Sequence, residues 1–216
     1  MSLTKKTPKK EKKSDEEKLE EDLELPPFFV HMDPPPRKEL RVTGIYGEIE
    51  ELKCSDVVHH LCSLRQSSVV VEEDGTETSL PIEFVLSTPG GSAGDMFAVY
   101  DFMRVVQEQC EIHTLGIGKV MSAGVLLLAA GTKGKRRIGK HCRIMLHSVS
   151  SGHIGELHNL KNELEEVQIM QNNYITALAT ETDMTEKHIK NLINKKVNVY
   201  LTAQEAVDLG IADEVV

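Results

Sequence analysis

The chain has 216 residues, with 34 Asp and Glu against 25 Lys and Arg and a formal net charge of −9. That length suits one domain with a substantial core, and the acidic balance argues against a nucleic-acid-binding surface. With 40% hydrophobic residues the body reads as globular, and no apolar run reaches the ~20 residues that span a bilayer.

Residues 1–25 hold seven Lys and eight Asp or Glu and few large apolar side chains, the composition of a disordered charged tail. Lys5 to Lys13 lead into acid-rich DEEKLEED rather than an apolar core, so this is not a secretory signal. Residues 26–40 are a proline-rich connector, PPFFVHMDPPP and its flank, extended by its prolines. Phe28, Phe29 and Val30 in it are candidates to dock on the body or on a neighbouring subunit.

The folded domain is expected over 41–216. RVTGIYGEI reads as a strand and turn, and SDVVHHLCSLRQ (55–66) as a helix with Val57, Val58, Leu61 and Leu64 at helical spacing. SVVVEEDGTETSLPIEFVL holds two β-rich runs around Asp74-Gly75, a hairpin signal, and its second run ends in STPGG. SAGDMFAVYDFMRVVQEQ follows as a helix, EIHTLGIG as a strand, and KVMSAGVLLLAAG (119–131) as an apolar helix. RRIGKHCRIMLHSV supplies a strand pair. A long helix spans about 156–180, striped by Leu157, Leu160, Leu164, Val167, Tyr174 and Leu178, with polar Gln171 in the one gap. Thr202 and Glu205 form a capping box, Gly210 stops that helix, and IADEVV is a closing strand. Strands alternating with helices give an α/β class.

Four cysteines, Cys54, Cys62, Cys110 and Cys142, form no CxxC pair and no zinc spacing, so they read as reduced structural thiols and no metal site is expected. Ser122 has two explanations. Serine is a favoured N-cap, and a helix N-terminus also offers unpaired N–H groups and a positive dipole end to an oxyanion beside the hydroxyl. His147 ends the apolar strand RIMLH, either as a satisfied structural histidine or as a base for Ser122. The paired glycines of STPGG permit a tight turn or a backbone donor beside a substrate edge. No GxSxG elbow surrounds Ser122.

STPGGS, GKVMSAGVLLLAAGTKGKRR and RIMLHS, in that order, resemble the proteolytic subunit of Clp protease (ClpP), and the resemblance runs on through YLTAQEAVDLGIADEVV. It implies a ClpP/crotonase-like spiral of β-β-α units with a protruding long helix, the "handle" through which rings stack. It implies Ser122 as nucleophile, His147 as general base, and the Gly91 and Ala123 N–H groups as oxyanion donors. It implies unfolded protein or peptide substrates, a homo-oligomeric ring or double ring, no metal or organic cofactor, and a cytoplasmic or stromal setting. No GxxxxGK[ST] phosphate loop occurs, so ATP hydrolysis would fall to a partner Clp-type ATPase. The family segment that meets this ATPase has no counterpart in the tail and connector.

The family's third catalytic residue is an aspartate shortly before the Y/F-L-S/T segment. Here no Asp or Glu lies between Asn191 and Thr202. Counting back from Leu201-Thr202 puts Asn194 at that position, with Asn198 in reserve. An Asp-to-Asn change behind a catalytic histidine has lost about 10⁴ in kcat elsewhere. Two alternatives follow: a ring subunit with weak or no activity, and a crotonase-type acyl-CoA enzyme on the same fold.

Overall fold

A computed structural model describes residues 40–194 and 197–216; the tail and nearly all of the connector lie outside them. The strands are β1 (Val42–Tyr46), β2 (Val69–Val71), β3 (Glu77–Ser79), β4 (Ile82–Thr88), β5 (Ile112–Met121), β6 (Arg137–Ile138), β7 (Arg143–Leu146), β8 (Val199–Leu201) and β9 (Glu214–Val215). The helices are α1 (Glu51–Gln66), α2 (Ala93–Gln107), α3 (Ala123–Ala129), α4 (Leu157–Glu181), α5 (Glu186–Ile193) and α6 (Ala203–Asp208). Among the described residues β2 and β3 form their own antiparallel hairpin, and the other strands form one sheet in which β7–β8 alone is antiparallel.

Alternation sets the faces of this sheet. Ile82, Phe84, Leu86 and Thr88 of β4 point into the core and are fully buried, as are Ile112 and Thr114 of β5. Residues between them are half-buried on the other face, where Glu83 pairs with Arg137 and His113. Met96, Val99, Met103 and Val106 line the buried face of α2, and Cys54, Val57 and Leu61 that of α1. Every residue of α3 is buried, as its unbroken apolar sequence requires. Each of its three leucines contributes roughly 1.5–3 kcal/mol by leaving water.

The strand that matters for the site is β5. Its first half pairs with β6 (Leu115↔Arg137, Gly116↔Ile138), and its second half exchanges that neighbour for β7 (Lys119↔Arg143 to Met121↔Met145). On its other side the register against β4 slips, from Leu86↔Gly116 to Thr88↔Val120. The extra residues in β5 bend it so that its end reaches β7.

Several expectations are corrected. Lys119, Val120 and Met121 are strand, not helix, because β7 offers their backbone a partner. RRIGKHCRIML does supply two strands, but β6 and β7 each pair with β5 and not with each other. The run TETSLPIEFVL breaks at Leu80-Pro81 into β3 and β4. Helix α1 begins four residues earlier than its apolar spacing indicates. The hairpin at Asp74-Gly75, α2, and the capping box at Thr202 and Glu205 form as expected.

Arg136, from the basic run after α3, closes the fold. Its side chain is almost fully buried and donates to the carbonyls of Glu181 (2.7 Å), Gly210 (2.8 Å) and Ala129 (3.3 Å), the ends of α4, α6 and α3. Its Nε and Nη2 hold the Asp213 carboxylate at 2.9 and 2.5 Å. Burial works to raise the Asp213 carboxyl, but the hydrogen bonds and charge of Arg136 outweigh it and hold that carboxyl below its ordinary range. A carboxyl depressed in this way contributes stability above its unfolded pKa and loses it as pH falls through the folded value. Asp213→Asn leaves a buried cation without its counter-ion. It is expected to lower unfolding stability at pH 7 by about 3–5 kcal/mol, measured by urea denaturation, and the gap to wild type should close once the medium is acid enough to protonate Asp213 itself.

Candidate active site

The β5–β7 register brings two sequence-distant ends together. Ser122 follows the last residue of β5 and His147 follows the last residue of β7. The Ser122 N–H donates to the Met145 carbonyl at 2.7 Å, continuing the ladder one step past the strand. The chain then turns sharply into α3, with Ser122 at φ 54° and ψ −124°, the single non-glycine residue at positive φ among those described. Such a conformation costs about 1–3 kcal/mol and persists where its surroundings over-determine it.

The geometry of the turn does not match that of a helix cap. Ser122 stands at the N-cap of α3, yet its side chain makes no cap hydrogen bond. Its Oγ lies 2.6 Å from His147 Nε2 instead. A capping serine has extended backbone and accepts from the first turn; this one has neither feature.

Gly90 makes room for it, and Gly91 makes room for Ile49. A Cβ on Gly90 would stand 2.6 Å from the Ser122 Cβ, and Gly90 has φ 97°. A Cβ on Gly91 would stand 2.2 Å from the Ile49 carbonyl oxygen, because Ile49 bridges this segment, accepting from Ser92 N–H and donating to Gly90 O, each at 2.9 Å. Thr88 Oγ1 accepts from Gly90 N–H at 3.0 Å and fixes the turn from inside. Among the described residues the Gly91 and Ala123 N–H groups have no backbone acceptor. Both residues line, with Ser122 and His147, a cavity of about 90 Å³ whose walls include Met96, Val149 and Tyr174.

His147 also lines a second cavity, together with Ser148, Ile193, Val197 and Asn198. Asn194 is the exposed C-cap of α5. Among the described residues His147 has Ser122 as its side-chain hydrogen-bond partner, and neither Asn194 nor Asn198 bonds to it.

Two residues on α4 take part that sequence reasoning did not single out as functional. Tyr174 Oη donates to the Ser122 carbonyl at 3.1 Å. One turn earlier, Gln171 Oε1 accepts from Val149 N–H at 3.2 Å and holds the chain just past His147. A signal existed for the second, since Gln171 is the polar break in the apolar stripe of this helix.

A family model for Clp protease matches residues 39–216. The chain belongs to the Clp protease family. Among curated proteins it is 29% identical over 178 residues to "ATP-dependent Clp protease proteolytic subunit 1" of Corynebacterium glutamicum, covering 82% of this chain and 79% of that protein. It is 30% identical over 177 residues to proteolytic subunit 2 of Chlamydia trachomatis, covering 82% and 80%. Against proteolytic subunit 1 of Prochlorococcus marinus it is 34% identical over 132 residues, 61% of this chain and 65% of that protein. The mostly parallel sheet, with helices inserted between its strands, is the fold of this Clp family member.

The close fit of Gly90 gives a test. Gly90→Ala places a methyl against Ser122 in a backbone conformation that alanine resists. It is expected to destabilise the protein by about 1–3 kcal/mol and to lower the rate of Ser122 acylation by a fluorophosphonate at least tenfold, read by mass spectrometry of the labelled chain.

Proposed function

We propose that the protein is a ClpP-type serine endopeptidase that hydrolyses peptide bonds of unfolded proteins or peptides through an acyl-enzyme on Ser122. The observation that carries this reading is the 2.6 Å contact between Ser122 Oγ and His147 Nε2 at the mouth of a cavity. The Ser122 hydroxyl donates to His147 Nε2, which takes the proton as Oγ adds to the substrate carbonyl. The negative charge that develops on the carbonyl oxygen is received by the N–H groups of Gly91 and Ala123, residues that line the same cavity as Ser122. His147 then returns its proton to the leaving amine. Water, deprotonated by the same imidazole, frees the acyl group and restores the serine.

His147 acts here with Ser122 as a pair; Asn194 and Asn198 remain the candidates for a third member. Peptidase assays on four variants test this. Ser122→Ala and His147→Ala are expected to lose more than about 10³ in kcat. Asn194→Ala and Asn198→Ala should stay within about threefold of wild type. A tenfold loss in either asparagine variant would identify it as the third member. Failure of wild-type protein to label on Ser122 would instead favour the inactive ring subunit, and tight acyl-CoA binding without peptidase activity would favour the crotonase reading.

Assembly is the second part of the proposal. The curated relatives are named as subunits, and Leu157 and Leu164, two turns apart on one face of α4, are exposed at 65% and 58%. An exposed apolar stripe on a long helix is what a packing seam leaves bare in a lone protomer. We infer that α4 stacks copies of this chain into a ring or double ring. Leu160→Glu with Leu164→Glu is expected to leave the protomer folded by circular dichroism and to lower the assembly mass measured by light scattering. A Clp-type ATPase would deliver unfolded substrate to this ring. No helix among the described residues is long and apolar enough to cross a membrane, and Cys54, Cys62, Cys110 and Cys142 are free thiols. The free thiols suit a reducing cytoplasmic or stromal setting.

A further inference from the structure

The Ser122 backbone is gripped at both of its polar groups. Its N–H is held by β7 through the Met145 carbonyl at 2.7 Å, and its carbonyl accepts from Val125 N–H at 3.0 Å and from Tyr174 Oη at 3.1 Å. The Val125 bond belongs to the first turn of α3. The Tyr174 bond comes from a separate helix 52 positions away in sequence.

The Ser122 carbonyl and the Ala123 N–H are the two ends of one peptide unit. That unit is planar and trans, so its oxygen and hydrogen point in opposite directions. Fixing the oxygen therefore fixes the direction of the hydrogen. Ser122 is strained at φ 54°, and a strained turn relaxes by rotating its peptide planes. Rotation of the 122–123 plane would swing the Ala123 N–H away from the cavity that Ser122, Gly91 and His147 share.

We propose that Tyr174 is a positioning residue that aims the Ala123 N–H at the oxyanion by holding the Ser122 carbonyl at the other end of the same peptide plane. This rests on the acyl-transfer reading above. Tyr174 is 7% exposed, and burial pushes its phenol well above the ordinary range, so it stays a donor at every working pH. Its helix is itself pinned. At the C-terminal end of α4, Glu181 accepts from Tyr100 Oη at 2.9 Å and pairs with Arg104 at 3.0 Å, and its carbonyl accepts from Arg136. One turn before Tyr174, Gln171 holds Val149. The phenol thus grips the Ser122 turn from a fixed base.

The test is Tyr174→Phe in the full-length chain, which keeps the ring and removes the hydroxyl. Three quantities are read on the assembled protein: kcat and KM for a fluorogenic peptide, and inhibition by a peptide boronate. In the boronate adduct Ser122 Oγ adds to boron, the serine proton passes to His147, and the resulting tetrahedral anion presents an oxygen to the same donors. The expected result is a fall of about tenfold in kcat, less than the 10²–10³ that follows removal of an oxyanion donor outright. KM should stay within about twofold, and boronate affinity should fall in parallel with kcat. A purely structural role would move the thermal midpoint without that split. Wild-type kcat and boronate affinity in Tyr174→Phe would overturn the proposal while leaving the peptidase reading intact. Wild-type protein that neither cleaves peptide nor labels on Ser122 would overturn both.

Discussion

The register between the second half of β5 and β7 is the constraint on which the site depends. Lys119 to Met121 lie beside Arg143 to Met145 as parallel neighbours, so both strands run out at the same edge of the sheet. Residues that follow parallel strands at one edge are natural partners, and that edge is where α/β sheets place their ligand sites. A slip of one residue would invert which side chains of β5 face the core. It would also carry Ser122 out of reach of His147. The core enforces the register, because Val120 and Ile144 are fully buried and a slipped strand would exchange them for Lys119 and Arg143. The contact at 2.6 Å between Ser122 and His147 is thus maintained by apolar burial well below it.

Around that edge the remaining elements act as braces. Ile49, at the entry to α1, holds the Gly90–Ser92 segment; α4 reaches across with Tyr174 and Gln171; β8 lies antiparallel on β7, and Asn198 just before it lines a cavity with His147. Arg136 then joins the ends of α3, α4 and α6 to Asp213 near the C-terminus. The segment that bears Ser122 is therefore continuous with a helix that is buried throughout and tied through Arg136 to two others.

Much of this was legible in the amino-acid order, for identifiable reasons. Periodicity marks α2 and the inner part of α4, and turn chemistry marks Asp74-Gly75 and the Thr202 box. The motifs around Gly91, Ser122 and His147 were readable because those residues sit at element ends, where sequence is constrained by geometry as well as by packing. What stayed hidden was long-range. KVM is apolar enough for helix or strand, and only β7 decides it. Arg136 looks like one of a basic surface run, yet four polar partners draw it inside. Tyr174 fits the apolar stripe so well that its hydroxyl carried no separate signal, although Gln171 beside it interrupts the pattern. The partner of the second imidazole nitrogen was not legible either, because no Asp or Glu lies between Asn191 and Thr202.

The backbone of Ser122 also bears on how such a chain changes over generations. At φ 54° glycine is the relaxed occupant, and a single substitution from serine to glycine would release the local strain. A subunit freed from performing a reaction would gain by that exchange and has a short mutational path to it. The serine that remains at this uncomfortable position, with a histidine within bonding reach, is thus the residue that relaxed selection would remove early, which makes position 122 a better gauge of retained chemistry than the missing acid near α5.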